Sequence, residues 1–216
     1  MIDLHTHTFF SDGELVPAEL VRRAAVAGYR AMAITDHADK SNIAWLLANI
    51  AHVVDELGEA NGMQVLAGVE LTHVAPAAIA DAARLARDHG AELVVVHGET
   101  IVEPVMPGTN LAAIKARVDI LSHPGLITPA EVQLAAEMGV CLEITTRKGH
   151  SLTNGHVAKL AHQYGAKLVI NNDAHGPGDL VSSEQMRRIA LGAAMSEEQF
   201  LQAQANSRAL VARAKG

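Results

Sequence analysis

The chain has 216 residues, 49% of them apolar and 19% charged, and its formal net charge is −7 at pH 7, a composition that suits one compact soluble domain with a sizeable core. Seventeen Lys and Arg against 24 Asp and Glu leave no basic block, which argues against nucleic-acid or anionic-membrane binding through bulk electrostatics. A lone cysteine, Cys141, excludes an internal disulfide, and the opening MIDLHTHT lacks the charged and apolar regions of a leader. No apolar run approaches the roughly 18 residues of a membrane span, so a cytoplasmic protein is expected. Twelve histidines among only 3% aromatics are the anomaly that needs a reason.

In chain order, a short apolar strand near Ile2–Leu4 runs into His5-Thr6-His7, followed by the turn Phe9-Phe10-Ser11-Asp12-Gly13. Pro17 opens a helical stretch that Gly28 closes, and a second strand near Ala31–Thr35 ends in Asp36-His37. The third strand, near Gln64–Leu71, carries Gly68-Val69-Glu70; Pro76 then opens a helix closed by Gly90, and the fourth strand, near Glu92–Val96, ends in His97. The segment from Gly98 to Thr109 reads as the longest loop, one that covers a site or merely connects, with Glu103 able to meet a substrate group. A fifth strand near Asp119–Ser122 ends in His123-Pro124-Gly125, and a helix runs from Pro129 to Gly139. The sixth strand, near Val140–Thr145, leads into Thr146-Arg147-Lys148-Gly149-His150, and the seventh, near Lys167–Asn171, into Asn172-Asp173-Ala174-His175. The remainder, Ser182 to Ala214, reads as two helices, with Ser196 capping the second.

Strands spaced by about 20 to 35 residues are the size of βα units, so a parallel sheet is expected. Seven such units without a Gly-rich phosphate loop after the first strand favour a closed barrel over a dinucleotide-binding sheet. One domain over residues 1–216 is expected, the C-terminal helices included.

Parallel β/α folds build their sites at the C-terminal ends of the strands. Six of the seven predicted strands end there in ligand-type side chains: His5, His7, His37, Glu70, His97, His123, Asp173 and His175. Any one buried imidazole is as readily a hydrogen-bonded core residue as a ligand; so many together point to metal. An H-x-H pair places both rings on one strand face, and a carboxylate such as Glu70 can bridge two cations. Asp3 and Glu143, inside strands, suit carboxylates that support ligands from behind, whereas Asp12 is also explained by its turn. His52, His73, His89, His156 and His162 lack partners at matching positions and read as structural or solvated. Arg147 is the first choice for a phosphate, since its guanidinium can hold two oxygens, with Lys148 beside it.

The ordered motifs H-x-H, S-D-G, T-D-H, G-x-E, an isolated His, S-H-P and N-D-A-H, spanning Met1 to about Gly178, resemble the PHP domain, named for polymerase and histidinol phosphatase. The resemblance implies a distorted TIM-like (β/α)7 barrel with two or three divalent ions, Zn, Mn or Fe. It implies that His5, His7, Glu70 and Asp173 hold one ion, Glu70, His97 and His123 a second, and Asp12, His37 and His175 a third. Glu70, Asp173 and His175 are then the expected catalytic residues, with Arg147 and Lys148 on the substrate.

The function expected is that of a metal-dependent phosphomonoesterase on a small phosphorylated metabolite, in the manner of a histidinol phosphatase. The alternatives are a phosphodiesterase or 3′–5′ exonuclease and a non-catalytic barrel used for protein interaction. Extended nucleic acid suits the acidic balance poorly. An amidohydrolase reading also shares H-x-H, but that family usually carries a Lys where this chain has His97.

Overall fold

The computed structural model describes residues 1–215. Its strands are β1 (Ile2–Asp3), β2 (Ala31–Ile34), β3 (His37–Ala38), β4 (Gln64–Leu71), β5 (Leu93–His97), β6 (Ile120–Ser122), β7 (Cys141–Thr145) and β8 (Leu168–Asn171). They pair in parallel in the order β1-β2-β4-β5-β6-β7-β8, with β3 also on β4. β2 and β3 are thus two halves of one strand interrupted at Thr35-Asp36, and the seven positions form the expected nearly closed, distorted TIM-like barrel.

The helices α1 (Pro17–Val26), α4 (Pro76–Asp88) and α6 (Pro129–Met138) start on proline, whose fixed φ suits the first turn and whose missing N–H is not needed there. Two more, α2 (Ile43–Ile50) and α3 (Val54–Asn61), fill the long interval after β3. The short α5 (Thr109–Lys115) and then α7 (Asn154–Tyr164) complete the alternation. The expected terminal pair is α8 (Ser183–Gly192) and α9 (Glu197–Ala214); Ser196 caps α9 by accepting from Gln199 N, and the Gln199 side chain reciprocates. No helix is long and apolar enough to cross a membrane among the described residues.

The barrel interior changes character along its axis. Low in the barrel, Ile2, Ala31, Ala33, Leu66, Leu93, Val95, Ile120, Cys141 and Val169 pack together, and Leu210 and Val211 of α9 join them. α9 closes this end: Arg213 meets Asp119 just before β6, and Asn206 Nδ2 donates to Leu168 O at the start of β8. Because side chains alternate, two residues further up the inward positions become polar: Glu70 above Gly68, His97 above Val95, Ser122 above Ile120, Glu143 above Cys141 and Asn171 above Val169. An apolar floor therefore lies beneath a polar mouth.

The weak place is the seam between β1 and β8. Among the described residues one backbone bridge closes it, Thr6 with Ala174, where His7 N donates to Ala174 O at 2.8 Å. Elsewhere side chains replace the ladder. Leu4 N donates to Asn171 Oδ1 at 2.9 Å, while Asp3 accepts from Asn172 N at 3.1 Å and from Asn172 Nδ2 at 2.7 Å. Asn171 Nδ2 also donates to Glu143 Oε2 at 2.8 Å. Asn171→Ala strands the buried Leu4 N–H and removes one of the two bonds to Glu143 Oε2, so it is expected to lower stability by about 1–3 kcal/mol in urea unfolding. A loss below about 0.5 kcal/mol would show that the seam does not depend on this side chain.

Candidate metal centre

At the C-terminal ends of the strands a cavity of about 240 Å³ is lined by Asp12, His37, Glu70, Thr72, His73, His97, Glu103, Arg147, His150, Asp173 and His175. The chain leaves regular β structure after Asp3, yet His5 and His7 still share a face, with ring centroids 5.1 Å apart. His5 Nε2 lies 3.1 Å from Glu70 Oε1 and 3.7 Å from Asp173 Oδ1, and His7 Nε2 lies 3.2 Å from Asp173 Oδ1 and 3.7 Å from Glu70 Oε2. These are the four residues expected to hold one ion. From behind, Glu143 Oε2 takes His5 Nδ1 at 2.9 Å, turning Nε2 toward the two carboxylates.

A second group forms around Asp12, whose Oδ1 is 3.3 Å from His37 Nε2 and 3.2 Å from His175 Nε2. His7 stacks on His175 at 4.2 Å and belongs to the same group. The loop that delivers Asp12 is fixed by Asp36, which accepts from Thr8 N, Thr8 Oγ1 and Ser11 Oγ, each at 2.7 Å. Burial raises the Asp36 carboxyl, which those bonds offset only in part. Within T-D-H the aspartate therefore organises the S-D-G turn, and the histidine faces the cavity.

The third expected group, Glu70 with His97 and His123, is arranged differently. Glu70 Oε1 comes within 3.8 Å of His123 Nε2, but His97 Nε2 faces Glu103 Oε2 at 3.0 Å. The imidazoles whose ring nitrogens converge within 4.8 Å are His97, His123 and His150. His150, read from sequence only as part of a basic cluster, is thus in the site, and His73, read as structural or solvated, sits on its rim 3.5 Å from Glu103 Oε2. Both follow a strand's C-terminal end by a few residues, a position that signals proximity to a barrel site whatever the local pattern. His52, His89, His156 and His162 lie outside the cavity lining.

Arg147 is in the lining, with Nε 3.4 Å from Asp173 Oδ2 and Nη1 donating to Asp173 O at 3.1 Å. Lys148 is exposed and not part of that lining. Its strand has ended at Thr145, so nothing in the sheet directs it inward. His123 and Asp173 both have positive φ, +23° and +53°, a conformation costing on the order of 1–3 kcal/mol that persists where surrounding bonds over-determine it.

Whether this donor set fits divalent ions can be judged from its unmet demands. Four buried imidazole nitrogens, His5 Nε2, His7 Nδ1, His7 Nε2 and His123 Nδ1, have no hydrogen-bond partner among the described residues. Burial opposes charge on His5, but Glu70, Glu143 and Asp173 together hold it well above the ordinary histidine range. Burial, reinforced by His37 and by His97 respectively, drives His7 and His123 well below that range. Burial also lifts Asp173 to about 7. The rings of His7 and His123 leave unpartnered nitrogens beside the buried carboxylates Glu70 and Asp173, a donor set that a cation would complete. Nitrogen and oxygen donors in this arrangement suit divalent ions.

The family model described as the PHP domain matches residues 3–101. An uncharacterized protein of Methanocaldococcus jannaschii is 49% identical over 200 residues, covering 92% of each chain. A probable phosphatase of Shewanella sp. strain ANA-3 is 31% identical over 199 residues, covering 81% of this chain and 76% of the relative. Among solved structures, a two-domain Bacteroides vulgatus protein containing a predicted PHP-like metal-dependent phosphoesterase superposes with a TM-score of 0.52. The identity is 14%, and the match covers 87% of this chain and 61% of that one; it shows the fold.

Elemental analysis of purified protein is expected to give between two and three divalent ions per chain, on the order set by three converging donor groups. Fewer than about one after loading with Mn or Zn would contradict the centre. Glu70→Gln is expected to lose at least one ion, because an amide does not bridge cations as a carboxylate does; an undiminished metal count would remove Glu70 from that role.

Proposed function

The chain belongs to the PHP domain family, and on that premise we propose that this metal-dependent phosphoesterase hydrolyses the phosphomonoester of a small metabolite. The observation that carries the substrate class is the cavity: about 240 Å³, below the roughly 300–1,000 Å³ of most small-molecule pockets. It has room for a phosphoryl group and a compact leaving group. The acidic net charge points the same way, since a polyanion would be repelled.

Ions bound at the centre would supply the Lewis acidity that lowers the pKa of water and withdraws charge from a phosphoryl oxygen. Glu70 and Asp173 are the carboxylates that would hold two such ions close together, and His175 closes the group around Asp12. Its Nδ1 lies 3.0 Å from Asp173 O, which fixes the ring so that Nε2 faces Asp12. Arg147 is tethered by Asp173 and, at 3.7 Å, by Asp179. Its guanidinium thereby stands at the cavity wall with little rotamer freedom left to lose, and its remaining Nη2 is the donor for a phosphoryl oxygen.

With one metal condition throughout, small phosphomonoesters are expected to turn over faster than phosphodiesters or single-stranded DNA. Shortening of an oligonucleotide from its 3′ end faster than cleavage of any monoester would reverse that reading. Arg147→Ala is expected to cost roughly tenfold to a hundredfold in kcat/KM with the metal count unchanged, and Arg147→Lys to restore only part of it. Unchanged kinetics would return Arg147 to a surface role.

A further inference from the structure

The carboxylate of Glu103 stands over the His97 group, and the fold holds it there from both ends of its loop. At the base, Glu99 Oε1 accepts from Gly108 N at 3.0 Å and from Asn110 N at 2.9 Å, while Asn110 Nδ2 donates to Pro124 O at 2.9 Å. Gly125 has φ +63°, and a Cβ there would fall 1.8 Å from Glu99 O, so the loop base presses backbone to backbone on the chain leaving β6. On the far side, Thr100 Oγ1 meets His150 Nδ1 at 2.8 Å and Val102 covers Gly149.

Held in this way, Glu103 places Oε2 3.0 Å from His97 Nε2 and 3.5 Å from His73 Nε2, with Oε1 3.4 Å from His150 Nε2. His97 Nδ1 lies 3.2 Å from Gly98 O, and His150 Nδ1 is engaged by Thr100. A ligating histidine is fixed in the same way, one ring nitrogen tied to a protein oxygen and the other left as the lone pair. Buried His123, one of whose ring nitrogens has no partner, completes the convergence. Three imidazoles and one carboxylate would fill a four-coordinate site, yet a catalytic ion must keep a position for substrate. Of the four, Glu103 is the one open to solvent: its side chain is 38% exposed while the three histidines are buried.

We propose that His150 joins His97 and His123 in holding one divalent ion, with Glu103 as a displaceable fourth ligand that an incoming phosphoryl oxygen replaces. The identity of that incoming anion rests on the phosphoesterase reading. Glu103 then acts as an internal competitor: the apparent affinity for phosphate is reduced by the fraction of molecules in which the carboxylate is seated.

The test uses metal-loaded protein and two readouts other than turnover. Orthophosphate binding is measured by titration calorimetry for wild type and Glu103→Gln, an isosteric change on the exposed loop. Metal content is measured for His150→Gln, with its circular dichroism confirming the fold. Glu103→Gln is expected to bind orthophosphate on the order of tenfold more tightly, and His150→Gln to hold one ion fewer. Orthophosphate binding that is unchanged or weaker in Glu103→Gln overturns the displaceable ligand, and an undiminished metal count in folded His150→Gln overturns the ligand set. Failure of the phosphoesterase reading is distinguishable, because it would appear as wild-type, metal-loaded protein that cleaves no phosphate ester.

Discussion

The burial of Glu70 is the constraint on which the rest of the barrel mouth depends. Its carboxylate is fully buried on β4, and an ionised carboxylate removed from water without compensation is among the costliest groups a fold can carry. Compensation arrives from several elements at once. His5 comes from the chain after β1, His37 Nδ1 from β3 at 2.8 Å, Ser122 Oγ from β6 at 2.9 Å and Thr72 Oγ1 from just beyond β4 at 3.2 Å. Burial would raise its pKa, yet His5 and the bond from His37 hold it well below the ordinary range. The group therefore stays an anion, and the strand ends around it converge on a common centre.

Closure of the barrel and orientation of the site are one network. Asn171 bonds the backbone of Leu4 across the seam and also bonds Glu143, and Glu143 fixes His5. Asp3 meets Asn172, which also donates to Tyr29 Oη at 2.6 Å, tying the seam to the chain between α1 and β2. The polar groups that replace a regular β1–β8 ladder are thus the ones that aim the first ligand. A barrel closed by a full backbone ladder there would lose this means of orienting His5.

Much of this was legible in the sequence because local rules governed it. Pro17, Pro76 and Pro129 mark helix starts, glycines mark their ends, and the apolar runs lie within a residue or two of the observed strands. Motif order located the residues around Glu70 and Asp12, since most lie at or a few residues beyond a strand's C-terminal end. What escaped depended on contacts distant in the chain. The helices α2 and α3 carry neither an N-terminal proline nor a side-chain cap, and β3 is only two residues long. His150 and Glu103 lie on separate loops 47 positions apart and meet only because Thr100, Val102 and Gly149 bring those loops together. In sequence its guanidinium alone favours Arg147 over Lys148; that it lies in the cavity wall depends on Asp173, which engages it from another strand end.

The central claim is that the buried imidazoles and carboxylates at the barrel mouth converge to hold metal ions. Anomalous diffraction from crystals of the metal-loaded protein, recorded on both sides of the absorption edge of the ion, tests it most directly. The account predicts anomalous peaks bonded to Glu70 and Asp173, with His5 Nε2 and His7 Nε2 completing one coordination shell. A map without peaks there, with those imidazoles hydrogen-bonded directly to the carboxylates in ion-replete crystals, would contradict it.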